Sequence, residues 1–150
     1  MRFVLLLALL YAGPAAAAWQ HSVAVRGGSA VAASGGVTVR IACIAENASL
    51  YVTVSGGPFA GMRSVDDGSG SMTLRIAMGN GEVHTYPIDG HYDAADGAFV
   101  ARWLTNGAIL DRFAQGATLT LTAPGGERVV EMDMTGTSRA RQGFRRGCGL

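Results

Sequence analysis

Five stretches of this chain alternate apolar and polar residues with a period of two. A segment with that period buries one face and wets the other only as a β-strand. Val37, Val39, Ile41 and Cys43 share a face, as do Leu50, Val52 and Val54. Met72, Leu74, Ile76 and Met78 repeat the pattern, followed by Leu119 and Leu121, then Val130, Met132 and Met134. Shorter runs at Val23–Val25 and Val83–Ile88 read as edge strands, the second stopped by Pro87 and Gly90. Reversals are expected at Gly27–Gly28, Gly35–Gly36, Gly56–Gly57–Pro58, Asn80–Gly81 and Pro124–Gly125–Gly126. Asn80–Gly81 and Pro124–Gly125–Gly126 each join two alternating runs and predict hairpins.

Two segments read as helical. Asp96 can cap a helix in which Phe99/Trp103 and Val100/Leu104 stack four residues apart, ended by Asn106–Gly107. A second begins near Thr137 or Ser138, with Ala140, Phe144 and Cys148 on one stripe and Arg139, Arg145 and Arg146 facing away. The expected fold is mainly β: an antiparallel β-sandwich or half-barrel with one internal short helix and a C-terminal helix packed against it.

Cys43 and Cys148 are the only cysteines. One lies on the apolar face of its strand and the other on the apolar stripe of its helix, so both thiols look into the same interior. The chain start supports an oxidising destination, where such thiols pair. Met1–Arg2–Phe3 is a short positive start, Val4–Ala12 an apolar run, and Ala16–Ala17–Ala18 a small-residue cleavage site. Residues 1–18 therefore read as a secretory signal cut before Trp19, and residues 19–150 as a single β-rich domain. The apolar run is too short to anchor a helix in a bilayer. A Cys43–Cys148 disulfide uses both thiols and leaves none for nucleophilic or metal chemistry.

Removing Arg2 leaves 11 basic and 11 acidic side chains in the mature chain. Balanced charge supplies no general attraction to nucleic acid or to an anionic membrane. All basic residues are arginine, which with the abundance of Ala and Gly suggests a high-GC bacterial source and the periplasm as destination.

Candidate chemistry is sparse. Met132–Asp133–Met134, Met72, Met78, His84 and His91 have the residue types of a soft copper(I) site, but the four methionines sit on apolar strand faces and read as core filling. His21 and His91 are isolated, and neither a G-x-S-x-G elbow nor an H-E-x-x-H motif is present. Asp66–Asp67 reads as a solvated turn, and Asn47–Ala48–Ser49 as a glycosylation triplet without consequence in a bacterium. No catalytic residue, metal ligand or cofactor is expected. Arg139, Arg141, Arg145 and Arg146 form the candidate binding patch, crowded on the terminal helix with no acid among them.

The order of these segments resembles a known group. Gly36–Val–Thr–Val–Arg–Ile–Ala–Cys43, Leu50–Tyr–Val–Thr–Val54, Val100–Ala–Arg–Trp–Leu–Thr–Asn–Gly107 and Val130–Glu–Met–Asp–Met–Thr–Gly136 precede a helix closing in Cys148. This is similar to the VasI/TagO-like periplasmic proteins associated with type VI secretion, over residues 19–150. Invasion-associated proteins of the IalB type are a neighbouring resemblance. Both imply a non-enzymatic periplasmic binding or accessory protein with an envelope or secreted protein partner. The alternative is an inhibitor of a secreted hydrolase such as lysozyme, presenting Gly56–Arg63 or Asp89–Asp96 as its loop.

Overall fold

The computed structural model describes residues 18–24, 27–45, 49–57 and 69–150. The leader, apart from Ala18, lies outside them, as do Asp66–Asp67, Asn47–Ala48 and all of the Gly56–Arg63 loop beyond Gly57. Nine strands are described: β1 (Gln20–Ala24), β2 (Gly27–Ser34), β3 (Val37–Ile44), β4 (Ser49–Ser55), β5 (Ser69–Met78), β6 (Val83–Asp93), β7 (Ala98–Leu104), β8 (Gly116–Thr122) and β9 (Arg128–Asp133). Helix α1 (Gly107–Gln115) lies between β7 and β8, and α2 (Thr137–Cys148) follows β9.

The strands form one antiparallel sheet in the order β1-β2-β3-β4-β7-β6-β5-β8-β9. Of the two expected architectures the half-barrel is the one found, a single curled sheet. The alternation read from the sequence sets which side is inside. Val39, Ile41, Leu50, Val52, Val54, Leu74, Ile76, Leu119 and Leu121 are buried on one face, and both helices pack on that face. Met72, Met132 and Met134 are buried with them, and Met78 packs partly buried at the margin. An aromatic chain runs through this core: Tyr86 to Trp103 at 5.7 Å, Trp103 to Phe113 at 6.2 Å, and Phe113 to both Trp19 (5.4 Å) and Phe144 (6.3 Å).

The Gly35–Gly36, Asn80–Gly81 and Pro124–Gly126 reversals are where the sequence puts them. Gly35 and Gly36 both take positive φ, which is the requirement of a two-residue hairpin turn. Gly27 and Gly28 are not a reversal; they begin β2.

The helix expected over Asp96–Leu104 is instead strand β7. Phe99 and Trp103 are four apart, a spacing that fits period two as well as a helical stripe, and Ala101 completes the inward set. Pairing with β4 on one side and β6 on the other decides the matter, since local propensity yields to a ladder available on both edges. Asp93, not Asp96, does the capping: its Oδ1 accepts from the amides of Ala95 and Asp96 at 3.0 and 3.2 Å, forming the β6–β7 turn. Asn106 starts a helix where the sequence reading had it end one. Its Oδ1 accepts the Ile109 amide at 3.0 Å, the N-cap arrangement for α1. Leu110, Phe113 and Ala114 then fall on one buried helical stripe.

β6 is also corrected, from a short edge strand to an 11-residue interior one. Pro87 survives there for a register reason. Met78 N–H donates to Glu82 C=O, so in an antiparallel ladder the even residues of β6 bond to β5 and the odd ones face β7. Pro87 is odd, and pairing to β7 begins only at Asp89, so its missing N–H breaks no ladder bond. Gly90 continues the strand because a Cβ there would lie 2.1 Å from the Val100 carbonyl oxygen.

The curl brings the two ends of the sheet order together. Trp19, just before β1, donates its amide to Thr135 C=O (2.8 Å) and its indole Nε1 to Asp133 C=O (3.0 Å), at the end of β9. Asp133 Oδ1 in turn accepts the Thr135 amide at 2.6 Å. Thr135, through its hydroxyl and then its amide, holds the Asp133 carboxyl below its ordinary value of 3.8. A carboxyl lowered by folding stabilises above its unfolded pKa and loses that contribution as pH falls through the folded value. The melting temperature should therefore drop on acidification below about pH 4, and less steeply in Asp133→Asn. Parallel acid profiles for the two proteins would show that this turn does not hold the seam.

A candidate docking surface on the C-terminal helix

Helix α2 is fixed from its inner side. Cys148 is bonded to Cys43 of β3 across a sequence separation of 105, with Cα atoms 6.1 Å apart. Ala140, Phe144 and Cys148 line the buried stripe as the four-residue spacing predicts. Two further residues, Gly147 and Gly143, set how closely the helix lies on β2 and β1. A Cβ on Gly147 would stand 2.1 Å from the Gly27 carbonyl oxygen of β2, and one on Gly143 would stand 3.1 Å from Val23 Cγ2 of β1. Glycine, costly inside a helix, is here the condition for backbone-to-backbone approach.

The start of α2 is anchored to neighbouring backbone, and its end is capped. Thr137 Oγ1 donates to Met134 C=O (2.7 Å) and Ser138 Oγ to Ala114 C=O (2.9 Å). Gly149, at φ 67°, caps the other end by donating its N–H to Arg145 C=O. Arg145 and Arg146 occupy the last turn, where the negative end of the helix dipole favours cations.

The structure separates the four candidate arginines into two pairs. Arg141 Nη1 and Arg145 Nη2 both reach Asp111 Oδ1 of α1, at 2.6 and 3.3 Å. That acid was invisible to a reading of α2 alone, because it comes from a helix that was placed elsewhere in the sequence. Arg141 is the more buried of the two, and its Nε has no hydrogen-bond partner among the described residues. Arg139 and Arg146 are exposed, and neither guanidinium has an ion-pair or hydrogen-bond partner there. One carboxylate against four guanidinium groups leaves the outer side of α2 positive.

The other expected sites fare differently. His21 lies in β1, His84 Nε2 is 3.1 Å from Glu82 Oε1, and His91 is exposed on β6. The Asp89–Asp96 loop is strand as far as Asp93, and its remaining residues, 94–96, belong to the tight turn that ends at Gly97. Among the described residues no three His, Cys, Asp or Glu side chains are gathered as a metal site. No helix among them is long and apolar enough to cross a membrane.

No protein-family model, curated protein or solved structure matches this chain. The reading of its surface therefore rests on its own geometry. What that geometry offers is a helix whose inner face is immobilised by packing and a covalent bond, and whose outer face carries two guanidinium groups held by Asp111 and two exposed ones without a partner among the described residues.

Proposed function

We propose that this chain is a non-enzymatic, exported accessory protein that docks an acidic protein partner, of the envelope or itself secreted, through the outer face of α2. The observation that carries this reading is the division of labour among the arginines. Asp111 orders Arg141 and Arg145, while Arg139 and Arg146 stay unpaired and exposed beside them. An exposed ion pair of this kind contributes little to stability, roughly 0–1 kcal/mol. Its greater effect is to hold guanidinium groups in place, which lowers the ordering cost of binding a carboxylate-rich surface. Residence in the periplasm and an association with type VI secretion accord with the leader and with the resemblance of the strand and cysteine order.

The test is the Arg139→Glu/Arg146→Glu double variant, assayed against a partner confirmed by reciprocal capture of purified proteins. Both residues are exposed, so the fold should be retained, with the melting temperature lowered only slightly by the acid that Arg146→Glu places in the last turn of α2. Binding by the unaltered protein should weaken as salt is raised, and the double reversal should abolish it. A partner that binds the double variant as tightly as the original would remove α2 from the interface.

A further inference from the structure

Strand β6 is flanked on both sides along only half its length. Its ladder with β5 covers Val83–His91, but pairing with β7 starts at Asp89↔Arg102 and runs to Asp93↔Ala98. β7 ends at Leu104, where continued register would set it beside Pro87, and the chain turns into α1. Among the described residues, 83–87 therefore have a strand neighbour on one side only. Hydrogen-bond parity says which groups this leaves. Met78 N–H donates to Glu82 C=O across the hairpin, so the even residues of β6 bond to β5. The N–H and C=O of Val83 and Thr85, and the C=O of Pro87, point away from β5 with no ladder partner.

Sheet edges are normally blunted by charge, by proline or by a cover. Both terminal strands follow that rule. β9 carries Arg128, Glu131 and Asp133 along its length, and the carbonyls of Asp133 and Thr135 are taken by Trp19. β1 is tied at Trp19 and has α2 against it at Val23. Residues 83–87 contain no acid, lysine or arginine, and their single proline stands at the far end. Val83 and Thr85 are β-branched and exposed, which suits them to cross-strand packing. Large apolar side chains are exposed at both ends of this edge, Val83 at 44% and Leu104 at 68%.

We propose that this edge of β6 pairs, antiparallel, with the same edge of a second copy of the chain. Antiparallel pairing about a two-fold axis can set odd residues against odd, so that free N–H groups meet free C=O groups. The segment brings no acid or arginine opposite its own copy, so no like charges oppose the contact. Both edges are already held as strands by β5, whereas a disordered peptide would lose conformational entropy to bind there. The edge is short, far below the roughly 800 Å² per partner of a standard interface, so the dissociation constant should be on the order of 0.1 mM. The contact lies apart from α2 and does not depend on the docking reading above.

Sedimentation equilibrium reads the association directly. With that constant, about a quarter of the chains pair at about 20 μM and about four-fifths at about 1 mM. Water-exchange NMR should show the Val83 and Thr85 amides exchanging about fivefold more slowly in the concentrated sample, in proportion to the unpaired fraction. The amide of Glu131, on the edge of β9, should not change. Thr85→Pro removes a donor from the edge, and Val83→Lys keeps every backbone group but adds a charge. Both spare the even-numbered bonds to β5, so each should keep its melting temperature in dilute solution and pair at least about tenfold more weakly. If Thr85→Pro fails to fold, Val83→Lys decides alone. Arg139→Glu/Arg146→Glu should pair as the unaltered protein does. A monomer at about 1 mM, an assembly larger than a dimer, undiminished pairing by Val83→Lys, protection of Glu131 in place of Thr85, or loss of pairing in the α2 double variant would each overturn the proposal.

Discussion

Replacing Cys43 or Cys148 by serine should cost about 4–5 kcal/mol of folding free energy, the chain-entropy value for a loop of this length. The closed loop spans 105 residues. A whole domain is commonly stable by only about 5–15 kcal/mol, so the loss is a large share of what holds this fold. The damage should be local before it is global. Cys148 is the last residue of α2, and the bond fastens that helix to the third strand of the sheet. Without it, Phe144 and Ala140 still provide burial, but helix undocking is no longer limited by a covalent tether. Denaturant titration with and without reductant measures the first effect, and limited proteolysis near Arg139–Arg146 the second. A melting temperature indifferent to reductant would show that packing alone secures α2.

Gly147→Ala is the second large effect, with a sign opposite to the one helix propensity predicts. On a solvent-exposed helix face, alanine for glycine gains up to about 1 kcal/mol. Here the new methyl would meet the Gly27 carbonyl oxygen at 2.1 Å, a backbone atom of an interior strand that has no rotamer by which to yield. Overpacking of this kind costs roughly 1–3 kcal/mol and occasionally more, which outweighs the propensity gain. Moving α2 outward to relieve the clash would also pull on the bond at Cys148 and open space behind Phe144. The net expectation is a loss of about 2 kcal/mol or more, read as a lower denaturation midpoint with an unchanged slope. Gly107→Ala serves as the control, since a Cβ at that position meets nothing within 4 Å. If both variants behave alike, the close approach of α2 to β2 is not a constraint.

These two residues also mark where the sequence was legible. The inward faces of β3, β4, β5, β8 and β9, the α2 stripe and the cysteine pairing follow from periodicity, because burial on one face imposes its period directly. β7 was not legible: Phe99 and Trp103 satisfy both periods, and only the flanking ladders of β4 and β6 decide between them. The misreading then spread, turning Asn106 from the start of α1 into the end of a helix over Asp96–Leu104. Leu110, Phe113 and Ala114 carried the helical signal that would have corrected it. Asp111 was missed for the same reason, and with it the pairing that sorts the arginines. Gly143 and Gly147 read locally as weak helix residues; their role exists only once β1 and β2 lie beneath them.

The meeting of Trp19 with Thr135 has a kinetic consequence. The first hairpins, β1 to β4, can pair as soon as they are made, but their inward face is covered by α2, more than 100 positions later in the chain. The strand at one end of the sheet is likewise joined to the other end only after β9 is complete. Contacts of such long sequence separation form slowly, and an uncovered apolar sheet is sticky while it waits. A chain of this topology cannot mature from its N-terminus forward. It stays open along one seam until Asp133 and Thr135 arrive, its early strands stay uncovered until α2 follows, and a holdase that shields those strands should raise its yield.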